Sequence, residues 1–136
     1  MLFVMYFKDL EIWKEAVNLS LEIYSITQSF PKEEQYGIIS QMRRCAISIP
    51  SNIAEGSVRK SDRDTLRFVE IAIGSIAELE TQVIISNKLG YISNIDNVTA
   101  KINKIYALTK DFKQYLEKTD KYYEHSEFKE LSVLTT

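Results

Sequence analysis

The chain has 136 residues, 45% apolar and 26% charged, and a formal net charge of −2. That length fits one domain with a sizeable core, while four glycines and two prolines are too few for a loop-rich or all-β protein. The charge balance and a pI near 5.5 exclude a global attraction to nucleic acid or anionic lipid, so any such contact needs a local basic patch.

The single cysteine, Cys45, rules out an internal disulfide and fits a reducing compartment. The opening MLFVMYF is apolar, but it has no basic start and no small-residue cleavage site, so it does not read as a signal peptide. No uncharged run approaches the ~20 residues of a membrane span. A cytoplasmic protein without membrane association is expected.

The first helix is predicted from about Asp9 to Gln28. Ile12, Ala16, Leu19, Ile23, Ile26 and Phe30 form one stripe, and Leu10, Trp13, Val17, Leu21 and Tyr24 an adjacent one. Two stripes make a face wider than one partner helix covers. Trp13 reads as a core anchor. Phe30-Pro31 interrupts the pattern, and Pro31 with Glu33 and Glu34 suits the first turn of a second helix. In that helix Ile38, Met42, Cys45, Ile49 and Ile53 recur at helical spacing. Pro50 falls inside it, so the helix either kinks or stops and restarts with Ser51 as N-cap. Gly56 is expected to close it in the left-handed conformation.

A third helix is predicted from a capping box at Ser61 and Asp64 to Leu89, with Gly90 as C-cap. Its apolar residues crowd most of the circumference, and Ala72, Gly74, Ser75 and Ala77 are small enough for another backbone to approach. More apolar surface than one bundle buries points to self-association, with Phe68, Ile71, Ile73 and Ile76 as the candidate interface. A fourth helix, capped by Ser93 or Asn94, carries Ile95, Val98, Ile102, Ile105, Thr109, Phe112, Leu116, Thr119 and Tyr123 as an unbroken heptad seam. Residues 121–136 form a polar tail beyond a domain of residues 1–120, with the last ten or so expected to fray. Four long helices with short connections imply an all-α, antiparallel up-down-up-down, left-handed four-helix bundle.

Catalytic signals are nearly absent. The lone His125 lies in the polar tail, and no Ser-His-Asp or Cys-His set can be assembled. Arg43-Arg44 beside Cys45 favour a thiolate, but Cys45 sits on the apolar stripe and reads as an inert buried thiol. There is no His pair and no CxxC, and Glu78-Leu79-Glu80 lacks the Glu-x-x-His that completes a di-iron site, so no metal and no cofactor is expected. The remaining polar signal is basic: Arg43, Arg44, Arg59, Lys60, Arg63 and Arg67 lie close in sequence, with Glu55, Asp62 and Asp64 among them. Such a cluster is either a solvated helix end or a phosphate-contacting patch for RNA or DNA. Of the arginine pair, one is expected in solvent and the other held by Glu55, Glu78 or Glu80.

QMRRCAISIPSNIAEG (residues 41–56), SDRDTLRFVEIAIGSIAELETQ (61–82), NKLGYI (87–92) and the opening LEIWKEAVNLSLEIYSITQSFPKEEQYGI (10–38) resemble the four-helix bundle proteins encoded in intervening sequences of bacterial 23S ribosomal RNA genes. The resemblance implies a left-handed bundle that assembles into a homopentamer and has no enzymatic activity. It also implies a relation to the accessory proteins of diversity-generating retroelements, which bind nucleic acid and a reverse transcriptase. The expected function is a non-enzymatic oligomeric scaffold with a possible protein partner, and the alternative is weak, sequence-indifferent RNA or DNA binding at the corner between the second and third helices.

Overall fold

In a computed structural model of the chain, the backbone is described for residues 6–134 and the side chains for residues 6–120. Nearly all of it is helical: α1 (Glu11–Thr27), α2 (Ile38–Ser57), α3 (Asp62–Lys88) and α4 (Asp96–Leu134). Single 3-10 turns at Phe7–Asp9 and Lys32–Glu34 precede α1 and link it to α2, and no strand occurs among the described residues. The fold is all-α with four helices. The opening MLFVM and the side chains of the polar tail, Tyr123 and His125 among them, lie outside the described residues. The backbone of α4 itself runs past position 120, the boundary expected between bundle and tail.

The buried residues follow the first predicted stripe of α1 but not the second: Leu10, Trp13 and Val17 are half-buried and Leu21 and Tyr24 exposed, because α1 packs on only two neighbours. Ile12, Ala16, Leu19 and Ile23 of α1 face Met42, Ala46, Ile49 and Ile53 of α2, and Ala72, Ile76, Leu79 and Val83 of α3 meet Val98, Ile102 and Ile105 of α4 in one core. Burying each such aliphatic side chain contributes about 1.5–3 kcal/mol. Trp13 is half-buried, packed against the core and edge-on to Phe7. α1 packs on α2 and α4, and α3 packs on the same two; among the described residues the diagonal pairs do not meet. Later positions on one helix meet earlier positions on its neighbour. Ser20 pairs with Ala46 and Thr27 with Arg43; Cys45 pairs with Ser75 and Gly56 with Thr65. Glu70 lies beside Lys113, and Glu22 beside Lys101.

Three helix boundaries differ from expectation. The second helix starts at Ile38, not at Pro31, because Pro31 to Gln35 closes only a 3-10 turn (Glu34 N–H to Pro31 O, 3.0 Å) and Gly37, at φ −107° and ψ −118°, leaves the helical region. Ser51 caps nothing: α2 runs continuously through Pro50. A proline removes the N–H that would bond the carbonyl four residues earlier, here that of Ala46. The Ser20 hydroxyl of α1 reaches that carbonyl at 3.0 Å, so a neighbouring helix supplies the donor that Pro50 lacks. Gly56 does not adopt the left-handed conformation, which among the described glycines only Gly90 does (φ +81°). Gly56 is needed for proximity instead. A Cβ there would come within 2.8 Å of Phe68 Cβ and 3.2 Å of Thr65 O.

The remaining caps match their sequence signals. Ser61 accepts from Asp64 N–H at 3.2 Å to start α3, and Asn94 accepts from Asp96 N–H at 2.9 Å to start α4.

Candidate functional site

The six basic residues that cluster in sequence do not form one patch. Arg43 and Arg59 are 16 positions apart near opposite ends of α2, roughly 24 Å at 1.5 Å per residue. Arg43 turns toward the end of α1. Its Nε donates to Thr27 Oγ1 at 2.9 Å and its Nη2 to Tyr24 O at 3.4 Å, and its guanidinium lies 4.6 Å from the centre of the Tyr24 ring. The expected carboxylate partner is therefore corrected. Arg43 is held by carbonyl, hydroxyl and aromatic groups, because the last turn of a helix presents unpaired carbonyls and favours a cation. Arg44, one position on and about 100° around the helix, is exposed.

Arg59, Lys60, Arg63 and Arg67 do share the corner where α2 gives way to α3. The Thr65 hydroxyl donates to Gly56 O at 2.8 Å and fixes this corner tightly. Arg59 is stacked on Phe68, 4.6 Å from its ring centre, and paired with Glu55 at 3.2 Å. Arg63 lies 3.7 Å from Asp120 of α4. Lys60 and Arg67 are exposed, and so are Asp62 and Asp64 in the first turn of α3. Four cations thus stand among four carboxylates, Glu55, Asp62, Asp64 and Asp120. The corner is close to neutral, with two of its arginines already engaged.

Between α2 and α3 runs a narrow polar seam. Cys45 Sγ donates to Ser75 O at 3.0 Å, and Ser48 Oγ and Ser75 Oγ are 2.7 Å apart. Cys45 is buried, and burial, with the Glu78 carboxylate adding to it, pushes its thiol up from 9.0 to about 12. The thiol is protonated at neutral pH and is not a nucleophile. In the next turn Gln82 donates to Glu78 at 3.3 Å, and its own carbonyl oxygen is buried without a partner among the described residues. No group of three or more His, Cys, Asp or Glu side chains is placed to hold a metal ion among the described residues. No helix is long and apolar enough to cross a membrane.

The four residues expected at an interface separate by depth. Ile76, 1% exposed, belongs to the bundle's own core and presents nothing to another molecule. Phe68 and Ile73 are half-buried, Phe68 beneath Arg59. Only Ile71, at 53%, stands out from the surface. The rest of the exposed apolar face on α3 consists of Ile84, Ile85 and the small Gly74 and Ala77. A Cβ placed on Gly74 would meet nothing within 4 Å. The run Val83-Ile84-Ile85 carries a signal for this face in the sequence: at about 100° per residue three successive apolar side chains cannot all point inward. Leu21 on α1 and Ile47 on α2 are exposed as well.

A search of curated proteins found no match. A family model described as 23S rRNA-intervening sequence protein matches residues 8–118, from the turn before α1 through most of the described part of α4. With the match spanning all four helices, the chain belongs to the 23S rRNA-intervening sequence protein family.

Proposed function

We propose that this protein is a non-enzymatic interaction protein: an antiparallel up-down-up-down, left-handed bundle that associates with copies of itself in the cytoplasm and serves as a scaffold. Five copies is the number that the family resemblance implies. One observation carries the reading. α3 exposes Ile71, Ile84 and Ile85, with the small Gly74 and Ala77 between them, on a chain whose core is already complete without them. Burying these residues against another copy removes apolar area from water at about 25 cal/mol per Å², and the small residues between them allow close helix approach.

Nucleic-acid binding at the α2–α3 corner is the weaker reading. Phosphate contact draws on surplus positive charge, and this corner has as many carboxylates as cations.

The test is the mass of the wild-type protein in solution by light scattering or sedimentation equilibrium. A multiple of 15.8 kDa is expected, and Ile71→Asp should lower it while leaving helicity intact. A monomer across the micromolar range overturns the reading. An anisotropy titration with ribosomal RNA fragments at low and high salt should show no saturable binding; a salt-sensitive complex lost on replacing Arg59, Lys60, Arg63 and Arg67 with glutamine would favour the corner instead.

A further inference from the structure

The seams of the bundle are not all held in the same way. α1 and α2 are joined by Ser20–Ala46 and Arg43–Thr27, and α2 and α3 by Cys45–Ser75, Ser48–Ser75 and Thr65–Gly56. Apart from the Arg43 guanidinium, these are neutral hydroxyl, thiol and carbonyl groups. The polar contacts of α4 to other helices are, among the described residues, all ion pairs. Lys101 reaches Glu22, and Lys104 lies 3.6 Å from Glu11 and 2.9 Å from Glu15, across the seam with α1. Lys113 lies 3.9 Å from Glu70, and Asp120 3.7 Å from Arg63, across the seam with α3.

Two further features set α4 apart. It is the last helix and α1 the first, so no connecting loop ties the seam between them. Lys101, Lys104 and Arg63 are 47%, 53% and 62% exposed, so dissolved ions reach these pairs and screen them. Val98, Ile102 and Ile105 of α4 are buried in the common core, and salt does not weaken that apolar attraction. The core keeps α4 seated, and charge sets how often it lifts.

We infer that α4 is a salt-responsive strap: it lifts from a three-helix unit of α1, α2 and α3 ahead of global unfolding, and its ion pairs set the balance between closed and lifted. Lifting uncovers the apolar sides of α1 and α3 that Val98, Ile102 and Ile105 cover. Opening of one element below the global transition is how a bundle with unequal seams behaves. The strap does not depend on association between copies.

Native-state hydrogen exchange, resolved by peptide on the full chain at one fixed protein concentration, tests it. A lifted α4 loses its packing and exchanges, because a helix without tertiary contacts is marginal in water. Raising sodium chloride from a low level to about 1 M, where the Debye length falls to about 3 Å, should lower protection in α4 by about tenfold, roughly a factor of two for each of its four paired basic residues. Protection in α1, α2 and α3 should stay within about twofold. Lys101→Glu should lower α4 protection at low salt, and the charge-exchanged Glu22→Lys/Lys101→Glu should restore it, since the reversed pair attracts as the native one does. A loss shared equally by all four helices, α4 protection indifferent to salt, or no recovery in the charge-exchanged variant overturns the strap.

Discussion

Removing the Ser20 hydroxyl should destabilise the protein only because Pro50 is where it is. Ala46 is fully buried and Ser20 nearly so, and the hydroxyl lies 3.0 Å from both Ala16 O and Ala46 O. A hydroxyl has one proton to donate. The Ala16 carbonyl already receives the Ser20 backbone N–H in the regular ladder of α1, whereas the Ala46 carbonyl has no N–H to receive at position 50. Ser20→Ala therefore leaves a buried acceptor unsatisfied, at a cost of about 1–3 kcal/mol. With a urea m-value of about 2 kcal/mol/M, the unfolding midpoint falls by roughly 0.5–1.5 M. In a Pro50→Ala background the new N–H of residue 50 can bond Ala46 O, and the same Ser20→Ala change should cost under about 0.5 kcal/mol. The assay is a double-mutant cycle by urea denaturation at one fixed protein concentration, since assembly shifts apparent stability. A coupling energy of about 1–2 kcal/mol is expected. Equal costs for Ser20→Ala in both backgrounds would refute the donor substitution, whatever Pro50→Ala does alone.

Other substitutions separate residues that look alike in sequence. Gly56→Ala should destabilise by about 1–3 kcal/mol, read from a thermal melt, because its Cβ would sit 2.8 Å from Phe68 Cβ; a neutral result would mean the corner opens without cost. Arg43→Ala should cost about 1–2 kcal/mol through the lost contacts to Thr27, Tyr24 O and the Tyr24 ring, and Arg44→Ala close to nothing; equal melting temperatures would contradict the placement of Arg43. Cys45 should react with a thiol reagent at pH 8 only after denaturation, since the native thiol ionises near 12; rapid stoichiometric labelling of the folded protein would contradict its burial. Because the native value lies above the unfolded value of 9.0, its contribution to stability is complete below pH 9 and is lost as pH rises towards 12. Subtracting the alkaline denaturation curve of Cys45→Ala from that of the wild type should isolate this loss.

Local pattern made much of the architecture legible. Most of the first stripe of α1 and much of the seam of α4 appear as buried residues because helical periodicity decides which side chains share a face, whereas the second stripe of α1 does not, with Leu21 and Tyr24 exposed. The Ser61 and Gly90 signals mark the ends of α3 because capping is chemistry between residues a few positions apart. The start of α2 was less legible: proline and two glutamates suit the first turn of a helix, but they suit a 3-10 turn equally well, and only the backbone at Gly37 separates the two.

The candidate site was legible only in part. Arg43, Arg44, Arg59, Lys60, Arg63 and Arg67 are near in sequence, yet α2 carries Arg43 to the end of α1 and leaves the other end of the helix to Arg59. Asp120, distant in sequence, comes to the corner only because α4 returns beside α3. The sequence by itself determined that the chain is helical, which stripes of α2 and α4 supply much of its core and that α3 has apolar residues to spare, because these depend on composition and short-range spacing. Only the tertiary structure decided that Ile76 lies inside while Ile71 and Ile85 lie outside, that Ser20 serves the carbonyl Pro50 orphans, and that the basic corner is neutralised. Those outcomes depend on which neighbour reaches each group across the bundle, and no spacing along one helix encodes that.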